Sequence, residues 1–165
     1  MLRVDGPDQS TIVRLRIASS GVEPSLARLR LARLLSTAQL QPSGLPDSAV
    51  VVVRKFRDPK PGLLRLDQSG GNLPAAWNQA ANESLSRIAS KASRPAREAV
   101  PPGAEAVVFL DRSELLACLA SDWCEGSVMT RWWWRSLLKQ GAATQIVKEL
   151  WRRDSQYVPA ALQQL

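Results

Sequence analysis

Hydrophobic and polar positions change their period several times along this chain, and the changes mark out its elements. Over residues 11–17, Val13, Leu15 and Ile17 alternate with Ile12, Arg14 and Arg16, the two-residue period of a half-buried strand. Residues 25–40 then set Leu26, Leu29, Leu34, Leu35 and Ala38 among Arg28, Arg30 and Arg33, an amphipathic helix with Pro24 suited to its first turn. Pro42, Gly44 and Pro46 break it, and residues 49–56 resume as a β-branched strand. A turn through Pro59, Pro61 and Gly62 leads to residues 63–67, a candidate hairpin partner.

A loop rich in Ser, Gly and Asn follows, with Asn72 as a candidate N-cap. Behind it Trp77, Ala81, Leu85, Ile88 and Ala92 recur every three or four residues, so a second helix is expected to stop near Arg94 and Pro95. After the break at Pro101, Pro102 and Gly103, residues 106–110 read as a short apolar strand. Asp111 and Glu114 resemble a capping box with Asp in place of Ser or Thr, opening a third helix to about Cys124. Gly126 ends it, Ser127 is placed to cap a fourth helix through Lys139, Gly141 ends that, and residues 144–154 make a fifth. Val158 and Pro159 look like the opening of another.

The order through Leu110 is β-α-β-β-α-β, that of the ferredoxin-like sandwich. The expected fold is therefore α+β, with a sandwich domain over residues 1–110 and a tryptophan-rich helical extension over 111–165, packed on it or on a partner. Val50–Val53 and residues 107–110 are apolar on both faces, as in strands covered on both sides, which makes a three-layer α/β sheet the alternative.

Charge adds a question about partners. The chain carries 22 Lys and Arg against 15 Asp and Glu, a formal +7, which invites nucleic acid. Eleven of the cations fall in residues 1–67 against six of the acids, while residues 111–165 hold seven and six, so no basic block forms. Seventeen of the cations are Arg, a good phosphate ligand, but the Arg and Ala usage of a GC-rich, bacterial-like genome gives the same count. Arg14, Arg16, Arg54 and Lys55 are candidate anion contacts. An RNA-recognition sheet is not expected, because the strands offer only Phe56 and Phe109 for stacking bases.

Other chemistry is excluded by what the chain lacks. It has no histidine, which removes Ser-His-Asp and Cys-His nucleophiles, His-ligated zinc and histidine switches. Two cysteines, Cys118 and Cys124, are too few for a zinc site or a secreted disulfide framework; both are expected to be reduced core thiols. The first residues lack the apolar stretch of a signal peptide and the longest aliphatic run, residues 49–53, is too short to span a bilayer, so a soluble, cytoplasmic protein with no membrane contact is expected. Asp111, Glu114, Asp122 and Glu125 cluster around one helix, but capping accounts for the first two and an exposed helix end for the others. Ser136 and Lys139 match a Ser-x-x-Lys string without its companion motifs, and residues 69–72 match no phosphate-binding loop. No cofactor or metal is expected.

The most unusual phrase is Arg131, Trp132, Trp133, Trp134, Arg135. Three successive indoles on a helix spread over about 200°, so one ring is expected to lie outside a single interhelical seam and to meet another layer, a partner or solvent. Aromatic residues flanked by Arg are the makeup of interface hot spots, and these five are the candidate partner-binding residues. The leading expectation is a non-enzymatic interaction or assembly module with a protein partner or a second copy of itself. A weak, sequence-independent nucleic-acid binder stands second, and an enzyme without histidine chemistry third.

Overall fold

The structure is a computed structural model that describes residues 23–36, 38, 40–64, 73–138 and 143–165. Among these residues the fold is mixed helix and strand: α1 (Pro24–Ser36), β1 (Val50–Val53), α2 (Ala75–Ala89), β2 (Ala106–Phe109), α3 (Arg112–Cys124), α4 (Trp132–Leu137), α5 (Ala143–Arg153), a short 3-10 turn (Ser155–Tyr157) and α6 (Val158–Leu162). The α+β class holds. The described residues contain a single two-stranded antiparallel sheet, with Val50 opposite Phe109 and Val53 opposite Ala106, and not a four-stranded sandwich. The strand expected at 11–17 lies outside the described residues, as do Arg14 and Arg16. Of the expected hairpin partner, Leu63 and Leu64 sit in a bend and residues 65–67 lie outside.

The chain divides into two compact units: Met1–Ser43 with Arg57–Ser86, and Gly44–Phe56 with Arg87–Leu165. The boundary expected at Leu110 falls inside the second of these. In the first unit, α1 starts where Pro24 supplies a preset φ and the Glu23 carboxylate accepts the backbone N–H groups of Ser25 (3.1 Å) and Leu26 (3.0 Å), filling the usual N-cap role with a longer side chain. The Ser25 hydroxyl, which also donates to this carboxylate, and after it these two backbone bonds hold the Glu23 carboxyl below the ordinary carboxylate range. The helix stops at Ser36 rather than Leu40. By Gln41 the backbone is instead stitched to α2, with Gln41 N–H donating to Asn82 Oδ1 (2.9 Å) and Ser43 N–H to Ser86 Oγ (2.8 Å). On α2 the Trp77 ring is buried, and its Nε1–H donates to Asp58 Oδ1 at 2.9 Å, giving the indole the acceptor that burial demands. Asn72, the expected cap of α2, lies outside the described residues.

The second unit is built on β2, all four of whose side chains are buried, as expected of an apolar run covered on both faces; in β1 only Val52 is. α2 ends at Ala89 instead of reaching Arg94 because Ser93 is recruited by the free edge of β2. Its N–H donates to Ala106 O (3.2 Å) and its carbonyl accepts from Val108 N–H (3.0 Å), a one-residue parallel bridge. α3 begins with the expected Asp111 cap: Asp111 is extended, and its Oδ1 accepts the Glu114 N–H at 2.8 Å. The return half of the capping box differs. Glu114 reaches one residue further back, to the Leu110 N–H (2.8 Å), because its carboxylate is held by Arg94 as well. Burial alone would raise the Asp111 pKa, but hydrogen bonds from Ser113 and Glu114 and the nearby Arg94 charge hold it below the usual aspartate value.

The end of α3 is a complete left-handed glycine cap. Gly126 has φ +71, its N–H donates to Trp123 O (3.0 Å), and the Ser127 N–H donates to Asp122 O (2.8 Å). Ser127 is thereby spent on α3 and does not cap α4, which starts only at Trp132 with no side-chain cap. No strand follows Phe109 among the described residues, and no helix among them is long and apolar enough to cross a membrane.

The two thiols part company. Cys118 lies against the core and burial pushes its thiol up to about 12, whereas Cys124 is exposed, so the expectation of two core cysteines is corrected: the last turn of α3 carries Cys124 out past the packed face. Alkylation of the native protein near pH 8 will therefore modify Cys124 readily and leave Cys118 unmodified until denaturant is added. Equal reaction of both thiols in the native state, read by mass spectrometry, contradicts this.

Candidate functional site

α4 has six residues, and all three of its tryptophans are buried: Trp132 is 8%, Trp133 4% and Trp134 0% exposed. Of the surroundings expected for a ring outside a single interhelical seam, namely another layer, a partner or solvent, solvent is ruled out, since all three rings are buried. A three-way spread of indoles needs three surroundings, and a helix this short finds them within its own unit. Trp134 stacks on Phe109 of β2, with centroids 5.5 Å apart and planes 26° from parallel. Trp132 lies under the guanidinium of Arg54, the residue after β1, at 5.6 Å. Trp133 lies under that of Arg131 at 5.6 Å. The rings also touch one another, Trp132 edge-on to Trp133 at 5.8 Å and Trp133 tilted against Trp134 at 6.4 Å.

The cluster is anchored by a residue that the sequence disguised as an exposed helix end. Asp122, on the last turn of α3, has a side chain only 14% exposed. Its Oδ2 accepts the Trp134 Nε1–H at 2.6 Å, and its Oδ1 accepts the Ser127 hydroxyl at 2.7 Å and, more distantly, Arg131 Nε at 3.4 Å. One carboxylate thus holds the glycine-capped turn, the deepest indole and the arginine covering the next ring. Asp122 and Ser127 at a spacing of five, astride Gly126, is the signal in the sequence for the hydroxyl half of this knot. The indole half joins residues twelve apart and has no local signal.

Two more carboxylates, both buried where Asp122 is only partly so, repeat the principle. Glu114, 3% exposed, is gripped bidentately by Arg94, Nε to Oε1 at 2.6 Å and Nη2 to Oε2 at 3.0 Å. Asp154 accepts Arg112 Nη1 at 3.1 Å and Arg153 Nε at 3.2 Å, tying the end of α5 to the start of α3. All three acids are occupied in holding elements together. Among the described residues no group of three or more metal-ligating side chains forms, and Ser136 of the Ser-x-x-Lys string donates its hydroxyl to Trp132 O at 3.1 Å, within its own helix.

The structure brings together residues that the sequence kept in separate sets. Arg54, a candidate anion contact, sits on Trp132, a candidate partner contact. Lys55 and Arg135 are exposed, and Arg131 is partly exposed. Comparisons with protein-family models, with curated proteins and with solved structures found no match to this chain. The site must therefore be read from its own geometry. What sequence reasoning missed lies beside the cluster: Trp123 is 44%, Met129 50% and Leu137 40% exposed, so the stretch that buries three indoles presents three other large apolar side chains to solvent.

Replacing Asp122 by Ala strands a buried indole N–H and leaves Arg131 without its carboxylate. It should destabilise the protein by about 2–4 kcal/mol in chemical denaturation. Trp134→Phe keeps the ring on Phe109 while removing the donor, so the two substitutions should be non-additive by about 1–2 kcal/mol in a double-mutant cycle. Additivity would show that the 2.6 Å contact does not couple the two residues.

Proposed function

We propose that this protein is a non-enzymatic interaction or assembly module whose contact surface lies around α4 and the end of α3. Trp123 is the observation that carries the reading. Large exposed aromatics are costly to leave in water, and this one sits in the last turn of α3, just ahead of the turn fixed by the Gly126 cap and the Asp122 knot, while Met129, past that turn in the chain, is exposed as well. Covering the exposed part of Trp123, on the order of 100 Å², is worth about 2–3 kcal/mol at 25 cal/mol per Å². Its backbone is already fixed at a capped helix end and has little conformational freedom left to lose on binding, which favours the residue as an anchor. Trp132, Trp133 and Trp134 act in this reading as the rigid floor and not as the contact itself, with Arg131 and Arg135 at its margin.

The same geometry speaks against a base-stacking role. Trp132, Trp133 and Trp134 are all buried, with a guanidinium over each of the first two and Phe109 against the third, so none is open to a nucleobase.

The test is a comparison of the parent chain with the Trp123→Ser, Met129→Ser double variant. Proteins retained by the parent and lost by the variant are reconstituted as purified binary mixtures, and the solution mass of each chain alone is measured. The reading predicts a defined complex, with a partner or with a second copy, that the variant weakens by about tenfold or more while its unfolding midpoint stays near the parent's. A monomeric parent with no binary complex sensitive to these residues would contradict it.

A further inference from the structure

We propose that Arg54, Arg131 and Arg135 form a preset cationic rim that receives the carboxylates of an acidic segment on the partner protein. The inference rests on the interaction reading above and names the chemistry of that partner. Its basis is a ladder of planar groups: Arg54 on Trp132, Trp132 edge-on to Trp133, and Trp133 under Arg131, with successive spacings of 5.6, 5.8 and 5.6 Å. Both indoles are buried, so the floor on which the two guanidinium groups lie is rigid. Arg54 is fixed further by its N–H on Glu105 O (2.8 Å) and its Nη1 on Pro102 O (3.2 Å). Arg135 lies one turn on from Arg131, the residue before α4, with its N–H donating to Arg131 O at 3.4 Å, and its side chain is exposed.

Charge use within the second unit leaves two of the three available, as it leaves Arg87, Arg97 and Arg152, and only the rim arginines belong to the tryptophan cluster or its helix. Arg94, Arg112 and Arg153 are spent on Glu114 and Asp154, and Arg131 is shared with Asp122 at 3.4 Å. Arg54 and Arg135 have no carboxylate partner among the described residues. Arg54 spends Nη1 on Pro102 O, which leaves its other guanidinium N–H groups as donors, and a guanidinium fork matches a carboxylate bidentately. Because stacking has already ordered the Arg54 side chain, little rotamer entropy remains to be lost on binding. A polypeptide partner is favoured over nucleic acid because the rim's indoles are buried, while the exposed side chains nearby in the chain, Trp123 and Met129, are of the apolar kind that a protein surface covers.

The experiment uses the full-length chain and three labelled probes at near-physiological salt. They are a short glutamate-rich peptide with interspersed leucines, the same peptide with glutamine for glutamate, and a single-stranded oligonucleotide of equal formal charge. Binding is read by fluorescence anisotropy. The parent should bind the glutamate peptide in preference to the other two. Arg54→Ala with Arg135→Ala should weaken that binding by about tenfold or more. Arg97→Ala with Arg152→Ala, two exposed arginines of the same unit, should change it by less than about twofold. Near-UV circular dichroism checks the tryptophan cluster, and Arg135→Glu, which alters only an exposed side chain, repeats the test should loss of Arg54 disturb Trp132. Equal weakening by the two double variants, tighter binding of the oligonucleotide, or no binding of the glutamate peptide each overturns the proposal. If a reconstituted complex depends on Trp123 and Met129 but not on Arg54 and Arg135, the rim fails while the interaction reading stands.

Discussion

A carboxylate that has left water must find donors, and in this protein the donors that Asp122 finds decide where the tryptophans go. With 14% of its side chain exposed, Asp122 takes Trp134 Nε1, the Ser127 hydroxyl and, weakly, Arg131 Nε. The first bond fixes α4 against the end of α3, and the second locks the turn that lets the chain reverse between them. Once Trp134 is fixed against Phe109, the 100° step of the helix sends Trp133 and Trp132 toward two other directions, where arginines cover them. The exposed Trp123 is the residue immediately after Asp122, so the knot that buries one indole also sets the position of another.

α3 is the spine of this arrangement. It carries Glu114 and Asp122, supplies Arg112 to Asp154, and is joined to α6 by the Gln164 amide on Ser113 Oγ at 3.3 Å. Such buried pairs contribute modestly to net stability, because desolvation offsets most of the attraction, but losing one partner is costly. They act here as fasteners that specify which element meets which. The three carboxylates used in this way, Glu114, Asp122 and Asp154, are already hydrogen-bonded within the fold.

Local features of the fold were legible in the sequence because their causes are local. The Asp111 cap, the stop at Gly126, the β2 run, α3 and α5 follow from spacings of a few residues, whereas α4 begins five residues after its expected cap. Non-local features were not. The early end of α2 depends on Ser93 meeting the edge of β2, and the burial of Asp122 depends on an indole twelve residues away. The argument that three adjacent indoles cannot share one seam was sound as geometry. All three rings are nevertheless buried, because a six-residue helix can be enclosed on several sides, by β2, by Arg54 after β1 and by Arg131 before it. Arg54 and Trp132 were assigned to separate roles for the same reason, since only the fold brings residues so far apart in the chain into contact.

The dependence of the tryptophan cluster on Asp122 can be measured directly by hydrogen exchange of the indole N–H groups, resolved as separate resonances for the six tryptophans. The account predicts that the Trp134 Nε1–H, buried and hydrogen-bonded to Asp122, exchanges only on global unfolding, and that Asp122→Asn accelerates it well beyond the change in overall stability. A Trp134 indole that exchanges as fast as that of exposed Trp123, or that is indifferent to Asp122→Asn, would contradict it.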